Sequence, residues 1–117
     1  MAGTLTISTL SDGTNSTSST NCIRGSARAW ATFNGTTAAI SSSYNVSSIT
    51  VVATGDFKVN FTNAMPSTAY AGVVTGEQLT CYGPTEFTTS YYRIGSYVPA
   101  SGITVSRTSV SVAIFSS

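Results

Sequence analysis

Histidine is absent, and only five basic and four acidic side chains occur among the 117 residues. Without histidine there is no Ser-His-Asp or Cys-His machinery, and most zinc sites are excluded too. Charged residues make up 8% of the chain, against a usual share of about 25%. The basic ones, Arg24, Arg28, Lys58, Arg93 and Arg107, are scattered. No basic run exists to displace counterions from a phosphate backbone, so nucleic acid is not an expected partner. No apolar run approaches the roughly 20 residues that span a bilayer, and membrane insertion is not expected. The opening Met1-Ala2-Gly3-Thr4-Leu5-Thr6-Ile7 lacks the charged and long apolar segments of a signal peptide, so synthesis and folding in a cytoplasm are expected. Cys22 and Cys81 are the only cysteines. They allow one long-range disulfide but no disulfide scaffold, and in a reducing compartment two buried thiols are the expectation. Asp12-Gly13-Thr14-Asn15 lacks the later Asp and closing Glu of an EF-hand loop, and reads as a polar turn. No metal or cofactor is expected.

Serine and threonine fill the space that charge leaves, at roughly a third of all positions. They keep a surface wet without a strong field, and the β-branch of Thr suits a pleated strand. Hydrophobic residues amount to 41% and aromatics to 10%. A chain of this length buries about two thirds of its unfolded surface and builds one modest core. Its net charge of +1 adds little to solubility by repulsion. Sheet edges must therefore be hidden by closure or by pairing with other subunits, and an oligomer is expected.

The apolar pattern is that of strands. Phe57, Val59 and Phe61 alternate with Lys58, Asn60 and Thr62, the clearest period of two in the chain. Further strands are expected over 28–34, 37–40, 48–53, 70–75, 78–82, 88–94, 103–105 and 110–115. Asn34-Gly35, Thr54-Gly55-Asp56, Gly76, Gly83-Pro84, Gly95 and 99–102 punctuate them. Leu5, Ile7 and Leu10 lie in a first strand or extended arm, and the polar run 11–21 reads as a loop or linker. No segment holds a 3.6-residue period. These signals define an all-β protein, an antiparallel sandwich or small barrel (jelly-roll-like), with an extended N-terminal arm and linker over 1–24 and one β-sandwich module over 25–117. Its expected core anchors are Trp30, Phe33, Phe57, Val59 and Phe61.

The densest pattern runs from Ala27 to Tyr70. It holds Ala29-Trp30-Ala31-Thr32-Phe33-Asn34-Gly35, Tyr44-Asn45-Val46-Ser47-Ser48-Ile49, and Val59-Asn60-Phe61 followed by Ala64-Met65-Pro66. This stretch resembles the small β-module found towards the C-terminus of many tail-fibre proteins of tailed bacteriophages. The resemblance implies a structural protein on the virion exterior, made in the host cytoplasm. It further implies a homotrimer that contacts other virion proteins (tail, baseplate or major capsid protein) and attaches to the host surface, a surface glycan included. Receptor contacts are then expected after Tyr70. The chain holds no coiled-coil or repeat stalk, and this leaves open a capsid decoration or cement protein. In that case Leu5, Ile7 and Leu10 form an assembly arm.

The aromatic-rich segment after Tyr70 supplies the candidate receptor or interface residues: Tyr82, Phe87, Tyr91, Tyr92, Arg93 and Tyr97. Sugars stack their apolar faces on aromatic rings, while tyrosine and arginine donate hydrogen bonds. Tyr91 and Tyr92 are adjacent on an expected strand and must point to opposite faces, one to the core and the other outward. Some phage tail proteins cleave polysaccharides with paired carboxylates, which singles out Glu77 and Glu86. Both are read as surface turn residues beside Gly76 and Pro84, and the protein as not an enzyme. Arg28 is a possible partner for Asp56. The Asn-x-Ser/Thr matches at Asn15, Asn34, Asn45 and Asn60 are chance products of the composition.

Overall fold

The computed structural model describes residues 2–76, 80–98, 103–104 and 108–116, with the backbone alone for 80–85, 97–98 and 103–104. In chain order its elements are β1 (Thr9–Ser11), β2 (Ser16–Ser18), α1 (Ser19–Gly25), β3 (Ala29–Phe33), β4 (Ile40–Tyr44), β5 (Val46–Ala53), β6 (Asp56–Phe61), β7 (Ala71–Gly76), β8 (Thr80–Phe87), β9 (Tyr91–Val98), β10 (Ile103–Thr104) and β11 (Val110–Phe115). The protein is all-β and sandwich-like, and the described strands form no closed barrel. One sheet has four strands in the order β4-β3-β11-β7. In the five-stranded sheet β9 lies between β8 and β6, with β5 beyond β6, and β10 pairs with the far end of β9. All these pairings are antiparallel.

The period of two decides which side chains fill the space between the sheets. From β3 come Ala29, Ala31 and Phe33, from β11 Val110, Val112 and Ile114. From the facing sheet come Val46, Ile49, Phe57, Val59, Phe61, Tyr92 and Ile94. Phe33 meets Phe57 edge to face across the gap, with centroids 5.4 Å apart. Each buried Val, Ile or Phe side chain among them stabilises the fold by about 1.5–3 kcal/mol relative to exposure. Four of the five expected anchors are thus in the core. Trp30 is not: it is 38% exposed on the outer face of the four-stranded sheet. Parity is the reason. Trp30 stands an odd number of residues from Phe33, so one strand cannot turn both inward.

The polar run expected as a loop or linker carries regular structure. Residues 2–8 have no regular structure, but β1 and β2 form a hairpin and α1 follows directly. The polar run is turn and cap chemistry rather than a spacer. Asp12 accepts from the backbone N–H groups of Thr14 (2.9 Å) and Asn15 (2.7 Å), Gly13 takes φ +96°, and the Ser18 hydroxyl caps α1 by accepting from Asn21 N–H at 3.2 Å. Short polar side chains bond nearby backbone in this way. None of residues 2–28 is buried, however.

Three other connections depart from expectation. Asn34-Gly35 opens a longer loop in which the Asn34 side chain accepts from Thr36 and Thr37 N–H, Ala38 takes φ +62°, and β4 starts only at Ile40. Gly83-Pro84 does not end a strand; it lies in an irregularity of β8 between Tyr82 and Glu86, where proline's missing N–H costs no ladder bond. Gly95 lies inside β9, buried between Asp56 and Tyr82. By contrast, Thr54-Gly55 is a two-residue turn between β5 and β6, with Gly55 at φ +70°.

The crossing from one sheet to the other takes a single residue, Asn45, between β4 and β5. Its φ of +56° lies in the left-handed region, which Asn tolerates better than most residues. Its side-chain amide donates to the carbonyls of Arg28 and Asn63, each at 3.1 Å, and accepts from Asn63 N–H at 2.7 Å. Its own carbonyl accepts from Thr62 N–H at 3.1 Å. At the opposite side of the sandwich, Tyr92 spans the core onto Gly72, where an added Cβ would collide with the ring and its hydroxyl.

Three variants test these contacts by urea denaturation. Asn45→Ala loses the side-chain bonds and strains φ, and should cost about 2–4 kcal/mol; Asn45→Gly, which keeps φ free, should cost less. Equal losses would mean that φ is not a determinant. Gly72→Ala should cost about 1–3 kcal/mol by overpacking, and an unchanged midpoint would contradict the close Tyr92 contact.

Candidate functional site

The structure divides the candidate aromatics instead of gathering them on one surface. Tyr92 is buried and joins Tyr70, Phe61 and Phe87 in an aromatic cluster with centroid separations of 5.1–6.1 Å. Phe87 is the exposed rim of this cluster. The side chains of Tyr82 and Tyr97 lie outside the described residues. Tyr91 and Arg93 point the other way, to the outer face of the five-stranded sheet, as alternation from Tyr92 requires.

On that outer face the charges form a closed network. Arg93 grips Asp56 in a two-pronged pair, with Nε to Oδ1 at 2.9 Å and Nη2 to Oδ2 at 2.7 Å. The partner of Asp56 is therefore Arg93 and not Arg28; the Arg28 Nε donates instead to the Ser116 carbonyl at 3.4 Å. Glu86 stands opposite Arg93 on β8, with Oε2 3.9 Å from Nη1, so it is a ladder residue rather than a turn residue. Glu77 lies outside the described residues. The Arg93 guanidinium holds the Asp56 carboxyl below its usual range, and a hydrogen bond to Glu86 pushes the Tyr91 hydroxyl up. Lys58 Nζ lies 4.4 Å from the centre of the Tyr91 ring, within cation–π range. Asn60 completes the row by donating to Ser48 and Thr50. Two cations and two anions thus offset one another on this face, where the Asn60 amide and the Tyr91 hydroxyl are also held by neighbouring side chains.

The outer face of the four-stranded sheet is its chemical opposite. Its strands, Ala29–Phe33, Ile40–Tyr44, Ala71–Gly76 and Val110–Phe115, contain no charged residue. Register places Tyr44 beside Trp30, Trp30 beside Ala113, and Ala113 beside Val73. Tyr44 is 58% and Val73 60% exposed. A parallel row of hydroxyls, Ser42, Thr32, Ser111 and Thr75, lies two residues along, with Thr32 and Ser111 hydrogen-bonded at 3.1 Å. Sequence reading missed this row, although the parity between Trp30 and Phe33 carried the signal.

A third surface belongs to the N-terminal segment. Leu5, Ile7 and Leu10 are exposed, and with Thr6, Ser19, Cys22 and Ile23 they line an open cavity of about 370 Å³. Ile23 and Cys22, both from α1, were not among the expected arm residues. Cys22 is a half-exposed free thiol, which corrects the expectation of burial; the side chain of Cys81 lies outside the described residues. Among the described residues no cluster of three or more His, Cys, Asp or Glu side chains is placed to hold a metal, and no helix is long and apolar enough to cross a membrane.

Comparison with known proteins returns no matching family, no matching curated protein and no matching solved structure.

Tyr70 ties the aromatic cluster to the backbone: its hydroxyl lies 3.0 Å from the Thr88 carbonyl and 3.2 Å from that of Tyr91. Burial pushes the phenol up to about 12 from its usual 10. A raised value in the folded state means stability is fully present below pH 10 and lost as pH climbs towards 12. Tyr70→Phe should therefore cost about 1–2 kcal/mol at neutral pH and flatten the fall in stability between pH 10 and 12. Denaturant midpoints across that range check both effects; an unchanged alkaline slope would remove Tyr70 as its source.

Proposed function

We propose that this chain is a structural protein on the exterior of a tailed-phage virion, acting as a tail-fibre-like module for attachment to the host surface. The observation that carries this reading is the outer face of the five-stranded sheet. There Tyr91 and Arg93, two of the candidate receptor residues, stand with Lys58, Asn60 and Glu86 on paired strands. A rigid surface that is neutral in sum and rich in hydroxyl and amide groups suits a hydroxyl-rich partner such as a host glycan, because its geometry is already fixed before binding. The stretch that resembles phage tail-fibre modules, 27–70, supplies β3 to β6 and the corner at Asn45, so it contributes β5 and β6 to this face, while β8 and β9 follow it in the chain. The reading involves no catalysis.

A second reading, a decoration or cement protein on the head shell, is favoured by the N-terminal segment. Its apolar side chains Leu5, Leu10 and Ile23 lie exposed, as they would in an arm that finds its core only against a shell protein or a neighbouring subunit.

Copy number per virion separates the two, measured by gel densitometry against the major capsid protein. A few trimers per particle are expected for attachment; a ratio near that of the capsid protein would transfer the role to decoration. Tyr91→Ala should leave the folded protein intact and reduce its ability to block phage adsorption. Full blocking by the variant would remove this face from the host contact.

A further inference from the structure

The row Tyr44–Trp30–Ala113–Val73 crosses all four strands of its sheet, three steps of about 4.8 Å. We infer that this outer face is where the chain meets further copies of itself, buried at the axis of a symmetric homo-oligomer. The inference rests on the reading of the chain as an oligomeric surface protein and adds to it the surface and residues of contact.

Charge selects the occupant. A symmetric assembly brings equivalent residues of identical chains together near its axis, so any charge there opposes a like charge. Among the described residues every strand charge lies in the five-stranded sheet, on Asp56, Lys58, Glu86 and Arg93; the strands of the four-stranded sheet carry none. The strands of such a face can meet their own copy without repulsion; the nearest charge, Arg28, stands at the entry to β3, where its Nε donates to the Ser116 carbonyl. Its composition also fits, since interface centres are depleted in charge and enriched in Trp and Tyr. The flanking hydroxyls Ser42, Thr32, Ser111 and Thr75 both donate and accept, so each can pair with its counterpart on an identical face. A saccharide is the competing occupant, but the half of the row formed by Ala113 and Val73 gives it no ring to stack on.

Trp30 is the only tryptophan in the chain, so its fluorescence reports on this face directly. The experiment combines sedimentation equilibrium of the purified protein with acrylamide quenching of Trp30, for the parent chain and for Val73→Lys. Val73 is exposed, so the lysine should be accommodated in the monomer. The parent should sediment as an oligomer with Trp30 blue-shifted and shielded. Val73→Lys should weaken association by about a hundredfold or more, because the lysine would be buried without a partner, and should leave Trp30 open to quencher. A monomeric parent, or an oligomer in which Trp30 is freely quenched, would overturn the inference. So would an oligomer that survives Val73→Lys, or a monomer whose Trp30 is shielded only by added host polysaccharide. Sedimentation bears on the interface alone and adsorption on the attachment reading, so each can fail without the other.

Discussion

One residue, Asn45, sets the relation between the two sheets. A chain that leaves one sheet and enters the facing one normally needs several residues to turn; here β4 ends at Tyr44 and β5 begins at Val46. Such a corner demands a left-handed conformation and leaves the backbone on either side short of partners. An asparagine meets both demands, since its short amide tolerates positive φ and presents a donor and an acceptor together. By joining the carbonyl of Arg28 to both backbone groups of Asn63, it fixes the entry to β3 against the exit from β6. The parity of the neighbouring strands follows. Tyr44 ends on the outer face of one sheet, and Val46 starts on the inner face of the other.

That parity explains what could be read from the sequence and what could not. The alternation of Phe57, Val59 and Phe61 is local, and β6 and its core face were legible from it alone. The last strand was legible for the same reason, with Val110, Val112 and Ile114 on one face. Trp30 was misread because size suggested burial, while the decision belonged to the neighbours: Ala29, Ala31 and Phe33 together fill the inner face of β3. The Asn34-Gly35 signal was overridden by the Asn34 side chain, which accepts from two backbone N–H groups and so favours a longer loop. The Arg93–Asp56 pair depends on register between β6 and β9, 37 residues apart, and composition holds no information on register. The candidate aromatics were divided for the same reason. Their order along the chain was visible, but the face taken by each followed from pairing.

The few charges of the chain are used economically in space. Four of them lie together on one outer face, where strand pairing sets Glu86 opposite Arg93 and Arg93 reaches Asp56 on the neighbouring strand. Half-exposed pairs of this kind add little to stability by themselves. Their larger effect is to fix side-chain geometry and to leave the other sheet without charge. A β-protein that keeps its charges on one face gives up electrostatic protection of the other. The exposed Trp30, Tyr44 and Val73 are the consequence, and this asymmetry underlies both the attachment and the self-association proposals.

The N-terminal segment follows a different physical logic from the sandwich. Its shape is specified locally, by the Asp12 turn and the Ser18 cap, and not by burial. A two-stranded hairpin is marginal in water, and a helix of seven residues is far shorter than one that is stable alone. Local polar bonds can choose a conformation for such a segment but cannot hold it firmly, because each contributes only about 1 kcal/mol. The apolar side chains that would supply the remainder, Leu5, Ile7, Leu10 and Ile23, stand exposed around an open cavity. Sequence therefore encodes the form of this segment, while firm ordering requires apolar surface from outside it.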